Sequence, residues 1–154
     1  MPALRALAEG LGYAEVRTYI NSGNLLFSAA GTDQEVALAL EQAITDAFGL
    51  RIDVAVRTED ELRTLLANNP FPDGNPSQVT VAFLTRPPPP EAHQRVAALA
   101  VEDEPLVFSG REVWVNYRSG QGTSKLAAQF NRAVGVSSTV RTLRTVTKVA
   151  DLFG

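Results

Sequence analysis

Hydrophobic and polar positions alternate along this chain with two periods, and the switches between them mark the elements. Leu4, Leu7, Ala8 and Leu11 recur at helical spacing and predict a helix over 2–11, stopped by Gly12. Residues 15–20 and 24–28 are β-rich runs around a polar Asn21-Ser22-Gly23 turn, which predicts a tight antiparallel hairpin. Thr32 and Glu35 have capping-box spacing and open a helix to Phe48 that presents Val36, Leu40 and Ile44 on one side before Gly49 ends it. The alternation in 52–57 predicts a strand. Thr58 and Glu61 repeat the capping box and start a short helix with Leu62, Leu65 and Leu66 inward. The Pro- and Asn-rich stretch 69–76 sustains neither regular structure and reads as a long loop in which Asn69 bonds backbone and Phe71 plugs the core.

The remainder reads as a strand (78–85), a proline connector, a helix to Ala100 with Pro90 in its first turn, and a hairpin (106–108 and 112–117) about Gly110. A loop (118–123), a helix (124–134), a strand (139–143) and a terminal helix (146–152) follow. The expected fold is α+β: two ferredoxin-like, split βαβ units with antiparallel sheets covered by helices on one face. The first unit and a linking helix occupy 1–68, the joining loop 69–77, and the second unit with a C-terminal helix 78–154. The repeat is one of architecture, without residue-level identity between the halves. The first unit lacks its opening strand, which in this topology lies mid-sheet, so 52–57 has no neighbour on one side and its main-chain groups go unpaired. A shortened start explains the gap; a filling strand from elsewhere in the fold, or from a homodimer that lends its own β-edge, would close it.

Composition adds bounds. The 154 residues suit one compact domain or two small units sharing a core, and 45% hydrophobic with 20% charged content is that of a globular protein. The absence of Cys excludes disulfides and thiolate chemistry, and a single histidine, His93, excludes clustered imidazoles; no metal or cofactor is expected. No apolar run approaches a membrane span and no secretory leader opens the chain, so the expected address is the cytoplasm, without membrane association. The net charge of −3 conceals an asymmetry: residues 105–150 hold seven cations and one acid, a net of +6, and the rest carries −9. Such a split marks an anion-binding surface or two halves that neutralise each other.

Four motifs occur in order: Thr18-Tyr19-Ile20-Asn21-Ser22-Gly23-Asn24, Asn69-Pro70-Phe71, Gly122-Thr123-Ser124-Lys125-Leu126 and Thr145-Val146-Thr147-Lys148. Together they resemble the bacterial family catalogued as domain of unknown function 1697, over nearly the whole chain. The resemblance implies a duplicated α+β fold and no reaction. It also implies a strand and a Gly-rich loop ahead of the first helix that this chain does not carry, and an Asn-Trp pair where Thr142-Leu143 stands here.

The leading candidate site is the turn 118–125. Gly120 and Gly122 permit tight turning, Thr123 or Ser124 caps the next helix, and Arg118 and Lys125 add charge near its free amides. Its glycine and lysine spacing is not that of a P-loop. Arg141, Arg144 and Lys148 form a second cationic group, expected to converge with Lys125 on a phosphate-bearing small molecule or nucleotide. The hairpin tip crowds Tyr19, Asn21, Ser22, Gly23 and Asn24, where turn geometry alone accounts for Asn, Ser and Gly. Trp114 and Tyr117 lie on opposite faces of one strand, so one ring is expected outside, beside Arg118, where it could stack a base. The expected function is anion binding through the basic half. The alternatives are a nucleic-acid-binding module and an enzyme whose activity needs the absent N-terminal loop.

Overall fold

The computed structural model describes residues 2–19 and 24–153. Helix α1 (Pro2–Gly10) leads into the strands β1 (Ala14–Tyr19) and β2 (Asn24–Ser28), followed by α2 (Asp33–Phe48) and α3 (Glu59–Ala67). The second half runs β3 (Val79–Leu84), α4 (Ala92–Leu99), β4 (Leu106–Ser109), β5 (Glu112–Asn116), α5 (Lys125–Val134), β6 (Ser138–Thr142) and α6 (Leu143–Asp151). The fold is mixed α+β with two separate antiparallel sheets: β1-β2, and a four-stranded sheet in the order β4-β5-β3-β6. None of the described helices is long and apolar enough to cross a membrane.

Local chemistry explains most element ends. Both capping boxes form: Thr32 Oγ1 accepts from the Glu35 amide at 3.1 Å while Glu35 Oε1 accepts from the Thr32 amide at 3.0 Å. Thr58 and Glu61 repeat the exchange at 3.1 and 2.8 Å. α2 ends at Gly49 in the left-handed region, φ 68°. Asn69 Oδ1 accepts from the Phe71 amide at 2.8 Å, which turns the chain so that Phe71 packs against a core cluster. Two boundaries differ from expectation. α4 starts two residues beyond Pro90, and α6 starts at Leu143 because Thr142 Oγ1 accepts from the Thr145 amide at 3.3 Å.

The four-stranded sheet is covered on both faces, not on one. All six residues of β3 are buried, the continuous pattern of a strand with layers above and below it. One face, with Ala82, Leu84, Val113 and Val115, packs on α4 and α5 through Val96, Leu126 and Phe130. The other, with Val79, Val81, Phe83 and Trp114, packs on α3 and α6 through Leu62, Leu65 and Val146. The linking helix and the terminal helix thus supply a second layer. Trp114 and Tyr117 do occupy opposite faces, yet both are buried, so no ring is left outside.

The expected strand over 52–57 is not there: residues 51–58 belong to no ladder. Alternation alone does not make a strand when no neighbour exchanges main-chain hydrogen bonds with it. The segment is held by side chains instead. The Val54 amide donates to Glu41 Oε2 at 2.7 Å, and Asp53 accepts from the Ser137 hydroxyl. Ala55 packs against the α3–α6 cluster. Arg57 anchors the far end, with Nε on Glu112 at 2.7 Å and Nη2 on the carbonyls of Leu84 and Arg111 at 2.8 and 3.0 Å.

Candidate functional site

The predicted turn 118–125 forms, and its helix-capping residue is tied to a buried carboxylate. Gly120 adopts φ 84° and its amide bonds the Tyr117 carbonyl at 2.8 Å. Ser124, not Thr123, caps α5: its hydroxyl oxygen accepts from the Ala127 amide at 3.1 Å. The same hydroxyl donates to Glu104 Oε2 at 2.5 Å, and Glu104 Oε1 accepts from the Val101 amide at 3.1 Å. Ser124 and Glu104 are both buried. A carboxylate therefore sits by the positive end of the helix dipole, supplied by the protein itself. Burial, and then the Glu104 charge, push the Tyr117 phenol up to about 12. Arg118, Gly122, Thr123 and Lys125 are exposed around this buried pair.

The second cationic group divides. Arg144 and Lys148 are exposed on α6, one turn apart, whereas Lys125 opens α5. α5 and α6 pack on opposite faces of the four-stranded sheet. Arg141 lies on β6, half-buried, with Nε on Asn24 Oδ1 at 2.9 Å and Nη1 on Thr139 Oγ1 at 2.8 Å. Burial lowers its pKa from the ordinary guanidinium value. Arg141 thus brings the basic half to the hairpin, a meeting the sequence reading did not foresee. Asn24 also donates to the Tyr19 carbonyl at 3.1 Å, which closes the hairpin ladder. Asn21, Ser22 and Gly23 lie outside the described residues. His93 is exposed and meets the Phe108 ring edge-on at 4.9 Å.

A large concavity lies elsewhere. A cleft of about 960 Å³ is bordered by consecutive residues 25–29 of β2 and its exit and by 52–59 of the segment that forms no ladder. Val36, Leu40 and Ile44, one stripe of α2, line it, with Leu26 from β2. Phe48, Leu50 and Ile52 also line it and are 45, 52 and 47% exposed, a cluster of large apolar side chains left in water. Arg17 and Arg141 reach its wall, as does Glu15. Most other charged groups on the lining are held by partners: Asp33 by Arg111 at 2.8 Å, Arg57 by Glu112 at 2.7 Å, Glu59 by Arg63 at 2.8 Å. The Arg111 hydrogen bond holds the Asp33 carboxyl below the usual carboxylate value. The sequence signal for this cleft was the unpaired flank of 52–57; residue types alone marked nothing there.

Among solved structures, a conserved bacterial protein from Streptococcus pneumoniae is similar, with a TM-score of 0.73 at 19% identity, covering 100% of this chain and 88% of that one. That likeness concerns the fold. No curated protein matches the chain. The family described as protein of unknown function (DUF1697) matches residues 1–114, which takes in the hairpin and Asn-Pro-Phe motifs and leaves the two C-terminal motifs beyond the matched span. On that match the chain belongs to the DUF1697 family.

Proposed function

We propose that this is a binding protein whose ligand enters the cleft of about 960 Å³, laying an apolar body against Phe48, Leu50 and Ile52 and presenting an anionic group to Arg17 and Arg141. An anionic small molecule stays the ligand class, and its seat moves from the α5 turn to the hairpin side of the molecule. The observation that carries the reading is the apolar-lined cleft with large hydrophobic side chains exposed at its mouth. The internal ion pairs of Asp33, Arg57 and Glu59 support binding over acid–base chemistry, since groups tied to partners are poor proton carriers. The burial of Trp114 and Tyr117 removes the stacking platform that favoured nucleic acid. The strand order β4-β5-β3-β6 supports a split βαβ reading of the second unit, 78–154, and the cleft is lined mostly by the first, 1–68, with Thr139, Arg141 and Phe153 from the second.

The test uses 1-anilinonaphthalene-8-sulfonate, which joins apolar rings to a sulfonate. Saturable fluorescence enhancement is expected, with affinity reduced about tenfold by Ile52→Asp at the mouth and severalfold by Arg17→Ala. Both positions are exposed enough to change without unfolding the chain. Equal affinity in the wild type and both variants rejects the reading.

A further inference from the structure

We propose that the groove between α5 and the outer edge of β6 binds a small carboxylate ligand, at a site apart from the cleft. This cavity of about 360 Å³ is lined by residues 127–132 of α5 and by Val140. It lies across β6 from the cleft: Thr139 and Arg141 line the cleft, and Val140 between them points the opposite way, toward the cluster under α5. β6 ends the four-stranded sheet beyond β3, so no strand lies beside its outer edge.

The phase of the ladder sets what that edge offers. Ser137 accepts from the Thr85 amide at 3.0 Å, and the antiparallel register then alternates. Residues 139 and 141 turn their main-chain groups toward β3, and Val140 turns its own outward. The Val140 carbonyl already accepts from Arg141 Nη1 at 2.9 Å, whereas its amide has no protein acceptor among the described residues. At this point the edge presents a free donor beside an occupied acceptor. A neighbouring strand exchanges one of each and is poorly served, but an anion only accepts and is well served.

The side chains repeat this bias. The Ser138 hydroxyl donates to Asn131 Oδ1, which leaves the Asn131 amide nitrogen as a donor. The Arg132 side chain is exposed and has neither an ion pair nor a hydrogen bond among the described residues. No acidic residue is among the described residues that line the cavity. A guanidinium fork with a main-chain amide suits the two oxygens of a carboxylate. Ala127, Phe130 and Val140 supply an apolar side. At ~30 Å³ per water-sized group the volume takes about a dozen non-hydrogen atoms, the size of an arylalkyl acid.

The experiment titrates the isotope-labelled full chain at neutral pH with 4-phenylbutyrate and, in parallel, with the corresponding neutral amide, and follows backbone amide shifts by NMR. The acid is expected to move the Val140 amide and residues 127–132 saturably, with the neutral compound at least tenfold weaker. Arg132→Ala, at an exposed position, is expected to weaken the acid about tenfold, as for loss of one charged hydrogen bond. Arg17→Ala, in the cleft, is expected to leave these shifts unchanged. Equal binding of acid and neutral compound, undiminished binding by Arg132→Ala, or no binding at all overturns the site. Shifts confined to 25–28 and 52–56 also overturn it and put the acid in the cleft. Shifts at Val140 without any naphthalene sulfonate response uphold this site and reject the cleft reading.

Discussion

The Ser124 hydroxyl bridges the first turn of α5 and the carboxylate of Glu104, twenty residues away along the chain, at 2.5 Å. One side chain thus caps a helix and partners a buried acid. Ser124→Ala removes the cap, worth about 1 kcal/mol, and leaves Glu104 short of a bond to a charged group, worth about 1.5–3 kcal/mol. A loss of about 2.5–4 kcal/mol in urea denaturation is expected, larger than for Thr123→Ala, whose side chain is exposed. Equal effects of the two substitutions would show that Ser124 holds nothing beyond an ordinary turn.

Arg57 ties the segment without a ladder to the four-stranded sheet through Glu112 and two carbonyls, with its side chain only 8% exposed. Arg57→Ala strands Glu112, and the cost expected for breaking a buried pair is about 3 kcal/mol. Arg57→Lys restores the charge but not the fork that reaches four acceptors, the Val56 carbonyl included, so it recovers less than half of the loss. Chemical denaturation of both variants measures this, and full recovery by lysine would reduce the interaction to charge alone.

Tyr117 gives the protein an alkaline limit. Its phenol ionises near 12 in the folded chain and near 10 when unfolded, so from pH 10 upward the unfolded state loses a proton that the native state keeps. Stability falls between pH 10 and 12 by about 1.4 kcal/mol per pH unit from this residue. Tyr117→Phe is expected to flatten that limb in denaturation midpoints taken between pH 9 and 12. An unchanged slope in the variant would place the sensitivity elsewhere.

The Asp33–Arg111 pair acts at the acid end. The bond from Arg111 holds the folded Asp33 pKa below 3.8, so its contribution is present above that value and disappears as pH falls through the folded pKa. Arg111 also meets Glu61 at 3.3 Å, which joins the first turns of α2 and α3 to the β4-β5 turn. Arg111→Gln is expected to lower stability at pH 7 by about 1 kcal/mol, as for a partly exposed pair, and to make the acid limb shallower. The difference between wild type and variant should shrink as pH falls below 3.8 and through the folded pKa; a constant difference would show that packing of the Arg111 stem matters more than its charge.

Much of the fold was written in neighbouring residues. Thr32 with Glu35, Thr58 with Glu61, Ser124 and the turn at Gly110 act within four positions of the chain, so their geometry follows from side chains that meet whatever the rest of the protein does. The separation of Trp114 from Tyr117 followed in the same way from the two-residue period of a strand.

Tertiary structure decided the rest. Alternation told which way Trp114 and Tyr117 point, but the docking of α3 and α6 buried the second face along with the first. The identical alternation in 52–57 made no strand, because a ladder needs a partner that local sequence cannot supply. The basic residues were plain in the composition, yet the helices that carry Lys125 and Lys148 pack on opposite faces of the sheet, while Arg141 met Asn24 across 117 positions of chain. Chemistry within one turn is encoded by adjacent residues; which faces are covered, and where a gap opens, is set by packing between segments far apart in sequence.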